Sequence, residues 1–139
     1  MDPIPMRPVT VVEMVSDLQR HGERTTTHLL LLQDDLQRSF NLPIGPCEAL
    51  GVKVFLDNEL IPRPITHDLI LNVLTRLGAA VDHVVVDRAD DYWRARVHLR
   101  AGTGTYAIEA NAGDAVALAL RANATIFATE EAISGEQSS

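Results

Sequence analysis

Residues 92 to 100 read YWRARVHLR, an unbroken alternation of apolar and basic or polar side chains. Successive side chains of a strand project to opposite faces, so Trp93, Ala95, Val97 and Leu99 fall on one face. Arg94, Arg96, His98 and Arg100 fall on the other. The pattern requires a strand with one face in a core and one facing solvent. The segment before it, AAVDHVVVDRAD (79 to 90), alternates and then runs apolar, so the two form a hairpin through Arg88 to Asp91. GTGTYAIEA (102 to 110) adds a turn and a further strand. Its Gly102-Thr103-Gly104 lacks the Gly-Lys-Ser/Thr ending of a phosphate loop and reads as a hairpin turn.

Upstream, PVTVVEMV (8 to 15) and TTHLLLLQD (26 to 34) are β-type runs separated by a polar stretch whose Gly22 suits a turn. SFNLPI (39 to 44) and TIFAT (125 to 129) are shorter strands. CEALGVKVFLDN (47 to 58) has the apolar spacing of a helix, although Gly51 disfavours one.

The stretch IPRPITHDLI (61 to 70) starts another helix. Pro64 restrains Arg63 to an extended conformation, Thr66 stands where an N-cap is expected, and helix begins at His67. Asp68 in the first turn complements the helix dipole, and Ile65 and Ile70 are spaced as a hydrophobic staple. Leu69, Ile70, Val73, Leu74 and Leu77 form the expected buried stripe, closed by Gly78. Local structure accounts for Pro64, Thr66 and Asp68. It leaves Arg63 and His67 open between a surface role and a chemical one.

Asn111 can cap a third helix, with Asp114 three residues on. DAVALALRANA is apolar nearly all round and therefore buried, with Arg121 its exception. The closing EEAISGEQSS reads as a frayed acidic tail, which puts one domain at 1–131 and the tail at 132–139. The expected fold is α+β: a mixed, largely antiparallel sheet packed with about three helices in a single compact domain.

At 139 residues and 46% hydrophobic, the chain can build one real core. Its apolar runs are too short to span a bilayer, and MDPIPMRPV lacks the pattern of a secretory signal, so a cytoplasmic location is expected. Cys47 stands alone, excluding an internal disulfide and a multi-cysteine metal site. The net charge of −7 opposes non-specific attraction to nucleic acid unless basic groups gather on one face. The Arg94, Arg96, His98, Arg100 face is such a gathering. It is either a phosphate-contacting stripe or a solvated face paired with Asp87 and Glu109.

The succession LPIGPCEALGV, RPITHDLILNVLTRLGA and DAVALALRANATIF resembles the bifunctional nuclease domain family over roughly residues 8 to 131. The resemblance implies a compact α+β domain and nuclease activity on DNA and RNA, as ascribed to plant relatives. Family members carry a Glu in the segment matched here by Glu48. Where relatives commonly read Asp-Ala-Arg-Pro-Ser-Asp, this chain reads Glu109-Ala110-Asn111-Ala112-Gly113-Asp114.

Two functions are consistent with these residues. In a nuclease, Glu48, Asp68 and Asp114 would hold Mg²⁺ or Mn²⁺ or act as bases, and His67 would be general acid or base. Arg63, Arg121 and the stripe of Arg94, Arg96 and Arg100 would position DNA or RNA phosphates. In a non-catalytic, homo-oligomeric binding module, Arg63, His67 and Asp114 would tie helix starts to the sheet, and the basic face would meet an anionic ligand or a protein partner. Convergence of Glu48, His67, Asp68 and Asp114 in an open cleft would favour the first.

Overall fold

The computed structural model describes residues 2–18 and 23–137; the turn expected at Gly22 lies outside them. Eleven elements follow in order: β1 (Ile4–Leu18), β2 (Glu23–Gln33), β3 (Ser39–Ile44), α1 (Pro46–Leu56), α2 (Thr66–Arg76), β4 (Ala79–Ala89), β5 (Tyr92–Ala101), β6 (Gly104–Ala110), α3 (Ala112–Ala122), β7 (Thr125–Ala128) and α4 (Glu130–Gln137). The strands form one sheet in the order β3-β2-β1-β7-β4-β5-β6. Two antiparallel meanders, β1-β2-β3 and β4-β5-β6, are joined by β7, which runs antiparallel to β1 and parallel to β4. That one parallel pair makes the sheet mixed. It arises because the chain returns from β6 through α3 before entering β7, as parallel neighbours require a crossover.

The sheet curls on itself. Phe40 of β3 stacks on Trp93 of β5 with ring centroids 5.3 Å apart, although four strands separate them in the sheet order. On β5 the expected alternation is present: Ala95, Val97 and Leu99 are buried, and Arg96 and Arg100 are exposed. α3 packs against β3, β4, β5 and β7 on one side and against α1 and α2 on the other. Ala115, Ala117 and Ala119 are buried along it, and their small side chains let the neighbouring elements approach closely. Its apolar circumference is thus explained by burial on nearly every side.

Three expectations need correction. The terminal segment is a helix, α4, with Ala132 and Ile133 fully in the core. Thr129 caps it by accepting a hydrogen bond from the Ala132 N–H, and Arg38 bonds Glu130 to fasten it beside the β2–β3 turn. At α2, Ile65 rather than Thr66 occupies the N-cap position, and the Asp68 carboxylate accepts from the Ile65 N–H at 3.0 Å. The third correction is the rotation of α2: Leu69, Ile70, Val73 and Leu77 face outward, and Leu77 is 77% exposed. The inward face is His67, Leu71 and Leu74, at i, i+4 and i+7. Polar ties from His67 and Asp68 to α3 set that rotation.

Candidate active site at the start of the third helix

Asn111 caps α3 as its sequence suggests, its side-chain oxygen accepting from the Gly113 N–H at 2.8 Å and the Asp114 N–H at 3.4 Å. The cap leaves Asp114 in the first turn, with its carboxylate 48% exposed. Behind it lies His67, 3% exposed, whose Nε2 is 2.9 Å from Asp114 Oδ1. A carboxylate accepts hydrogen bonds, so the pairing puts a proton on Nε2. His67 Nδ1 then has no partner among the described residues. The ring is seated against Gly51 of α1, where a Cβ would collide with Nδ1 and come within 2.6 Å of Cε1. Gly51 is therefore explained by this seat, which accounts for a glycine in the middle of a helix.

The neighbouring residue points elsewhere. Asp68 Oδ1 accepts from Arg121 Nε at 2.8 Å, while Arg121 Nη1 donates to the Ala117 carbonyl at 2.9 Å and its guanidinium lies over Phe55. Burial pushes the Asp68 carboxyl up, but the Ile65 N–H and the Arg121 guanidinium outweigh it and hold the group below the usual carboxylate range. Asp114 and Arg121 are seven residues apart on α3, about 10 Å at 1.5 Å per residue. His67 and Asp68 thus engage opposite ends of the helix, and the two aspartates do not share one cleft.

Glu48 packs against Gly113, the residue before Asp114 in the chain. The first turns of α1 and α3 adjoin so closely that a Cβ on Gly113 would meet Glu48 Cβ at 2.7 Å and Ile44 Cγ2 at 2.9 Å. Among the described residues, no three His, Cys, Asp or Glu side chains are grouped to hold a metal ion, so the donor set does not fit an all-protein Mg²⁺ or Mn²⁺ cage.

The basic residues separate into engaged and free. Arg94 makes two bonds to Asp87 Oδ2, at 3.1 and 2.9 Å, and Arg100 Nε lies 3.1 Å from Asp82. Asp87, also bonded by the Thr129 hydroxyl, is held below the usual range: burial raises it, and Thr129, Arg94 and the Arg88 N–H more than offset that. Arg96 is exposed, faces Glu109 in the β5–β6 register and forms no ion pair among the described residues. His98 stacks on His83 at 4.2 Å; burial, His83 and Arg96 push its pKa down. Arg63 is exposed on the rim of an open cleft of about 540 Å³ that also contains Asn72, Asp68 and Arg121. Asp114 borders a different groove, of about 320 Å³, whose walls include Ile70, Leu74, Ile108 and Leu118.

Sequence reading missed the seat at Gly51 and the His83–His98 stack. The first had a signal, a glycine inside a helical pattern. The second depends on a β-bulge between Val81 and His83 that brings His83 opposite His98.

A curled mixed sheet enclosing an alanine-rich helix, with polar pairs at the helix starts, defines a class of α+β domain. The model of the bifunctional nuclease domain matches residues 29–139, and the chain belongs to that family. It is 31% identical over 106 residues to the uncharacterized proteins MT1877 and Rv1829 of two Mycobacterium tuberculosis strains, covering 76% of this chain and 62% of each relative. The chain thus spans about three fifths of the length of those relatives. No helix among the described residues is long and apolar enough to cross a membrane.

Proposed function

We propose that this chain binds DNA or RNA and hydrolyses its phosphodiester bonds, with Asp114 as the group that meets the substrate and His67 as the residue that positions it. The observation that carries the reading is the asymmetry of the pair: a fully buried imidazole holds one oxygen of a carboxylate that is half in solvent. One carboxylate oxygen is fixed by the Nε2–H bond, leaving the second to take a proton, as a general base, from a water whose oxygen bonds to phosphorus, while the P–O bond to the leaving sugar oxygen breaks and that oxygen takes a proton from solvent. The chemistry proposed here runs through Asp114. A requirement for Mg²⁺ or Mn²⁺ would appear as loss of cleavage in EDTA. Of the five arginines considered for phosphate binding, Arg63 and Arg96 are the two without an ion pair among the described residues, since Asp87, Asp82 and Asp68 engage Arg94, Arg100 and Arg121.

A second reading, a non-catalytic binding module, is favoured by one observation. His67–Asp114 and Asp68–Arg121 both tie α2 to α3, so each is sufficiently explained as a structural clamp. The Asp114→Asn variant separates the two. Asn keeps an oxygen to accept from His67 but cannot take up a proton, so the nuclease reading expects at least about a 100-fold loss of cleavage with binding and melting temperature retained. Cleavage that survives in Asp114→Asn leaves the pair as a clamp.

A further inference from the structure

The outward rotation of α2 leaves apolar surface uncovered beside an unprotected sheet edge. Leu69 and Val73 on α2 and Leu77 at its end are exposed, as are Tyr106 and Ile108 on β6, and an apolar groove lined by Ile70 and Leu74 of α2 and Ile108 of β6 lies between the two elements. Their open surface is on the order of 600 Å², the upper end of what a lone soluble domain presents. The two edges of the sheet differ. β3, SFNLPI, carries Pro43, a residue that blunts an edge, whereas β6, GTYAIEA, has neither Pro nor Lys and one charge, Glu109.

We propose that this face is covered by a second copy of the chain, with β6 pairing antiparallel to its counterpart across a two-fold axis at Ala107 and the α2 stripes packing alongside. Antiparallel edge pairing is self-complementary, so a strand needs no other partner than its own copy. With Ala107 on the axis, Tyr106 falls opposite the copy's Ile108, an aromatic and β-branched pair that suits a sheet. Glu109 falls opposite Thr105, which keeps the two glutamates from facing each other. The patch on two copies amounts to about 1,200 Å², where stable interfaces begin. Neither Asp114 nor His67 lies on the paired strand, but Asp114 borders the groove between α2 and β6, so the second copy would form one wall of the approach to that carboxylate.

The test is the mass of the purified full chain by light scattering coupled to gel filtration. The wild type is expected at twice the 15.2 kDa of one chain. Val73→Glu and Ile108→Glu, both at exposed positions, should halve that mass with unchanged far-UV circular dichroism. In a Cys47→Ser background, Ala107→Cys should form a covalent dimer on treatment with diamide, since residues paired across antiparallel strands lie within disulfide reach. A monomeric wild type, or folded glutamate variants that stay dimeric, would overturn the proposal. A dimer that fails to crosslink through Ala107→Cys would overturn the β6 pairing.

Discussion

His67 Nε2 lies 2.9 Å from Asp114 Oδ1, joining the first turn of α2 to the first turn of α3. The usual order of an aspartate–histidine pair is inverted: here the imidazole is the buried member and the carboxylate the accessible one. An acceptor fixed from behind and open in front can orient a water or a substrate hydroxyl. The same bond, with Asp68–Arg121, decides which face of α2 turns inward. Chemistry and architecture therefore share one residue pair.

Gly51→Ala tests the seat of His67. In an ordinary helix interior this change stabilises by about 0.5–1 kcal/mol. Here the new methyl meets the imidazole, and the expected outcome is a loss of about 1–3 kcal/mol in urea unfolding, the cost of overpacking. A stabilised variant would show that the ring does not lie against α1.

The Asp68–Arg121 pair predicts an acid limb. Asp68 has a folded pKa below its unfolded value of about 3.9, so its contribution to stability is complete above that value and is lost as pH falls through the lower, folded one. Asp68→Asn should flatten the fall in melting temperature below about pH 4. At neutral pH it should cost about 2 kcal/mol, less than a fully buried pair because Asp68 keeps some solvent. Equal pH profiles for variant and wild type would remove Asp68 from the acid response.

Most of the basic stripe should contribute little to phosphate contact. Arg94 and Arg100 are engaged by Asp87 and Asp82, so replacing Arg94, Arg96 and Arg100 together by Gln should reduce the slope of log K against log salt by the value of one contact, about 0.7–0.9. Arg96→Gln alone should give nearly the same change. A fall near three contacts would mean that nucleic acid displaces both aspartates.

These outcomes also show what a sequence exposes and what it conceals. The alternation in YWRARVHLR and the Asn111 cap are local patterns, and both appear in the structure where they were expected. The rotation of α2 is not local. Its sequence offers two overlapping apolar stripes, Leu69-Ile70-Val73-Leu74-Leu77 and His67-Leu71-Leu74, and hydrophobicity favours the first. The second is chosen by partners on α3, 47 and 53 residues away, which periodicity cannot see. The same holds for the site: first-turn aspartates at Asp68 and Asp114 look equivalent in sequence, yet Arg121 takes one and His67 the other. α4 has a local signal, for Thr129 followed by EEAI carries a cap, first-turn acids and an apolar pair.

The most direct measurement is cleavage of single-stranded DNA and RNA by highly purified wild type, Asp114→Asn and a His67→Ala, Asp114→Ala double variant, each with Mg²⁺, with Mn²⁺ and with EDTA. The account predicts cleavage by the wild type and at least about a 100-fold loss in Asp114→Asn with its fold intact, and none in the double variant beyond contaminating nuclease. Equal cleavage by all three proteins, or none by the wild type under any of these conditions, would contradict it and leave His67–Asp114 as the clamp that holds α2 to α3.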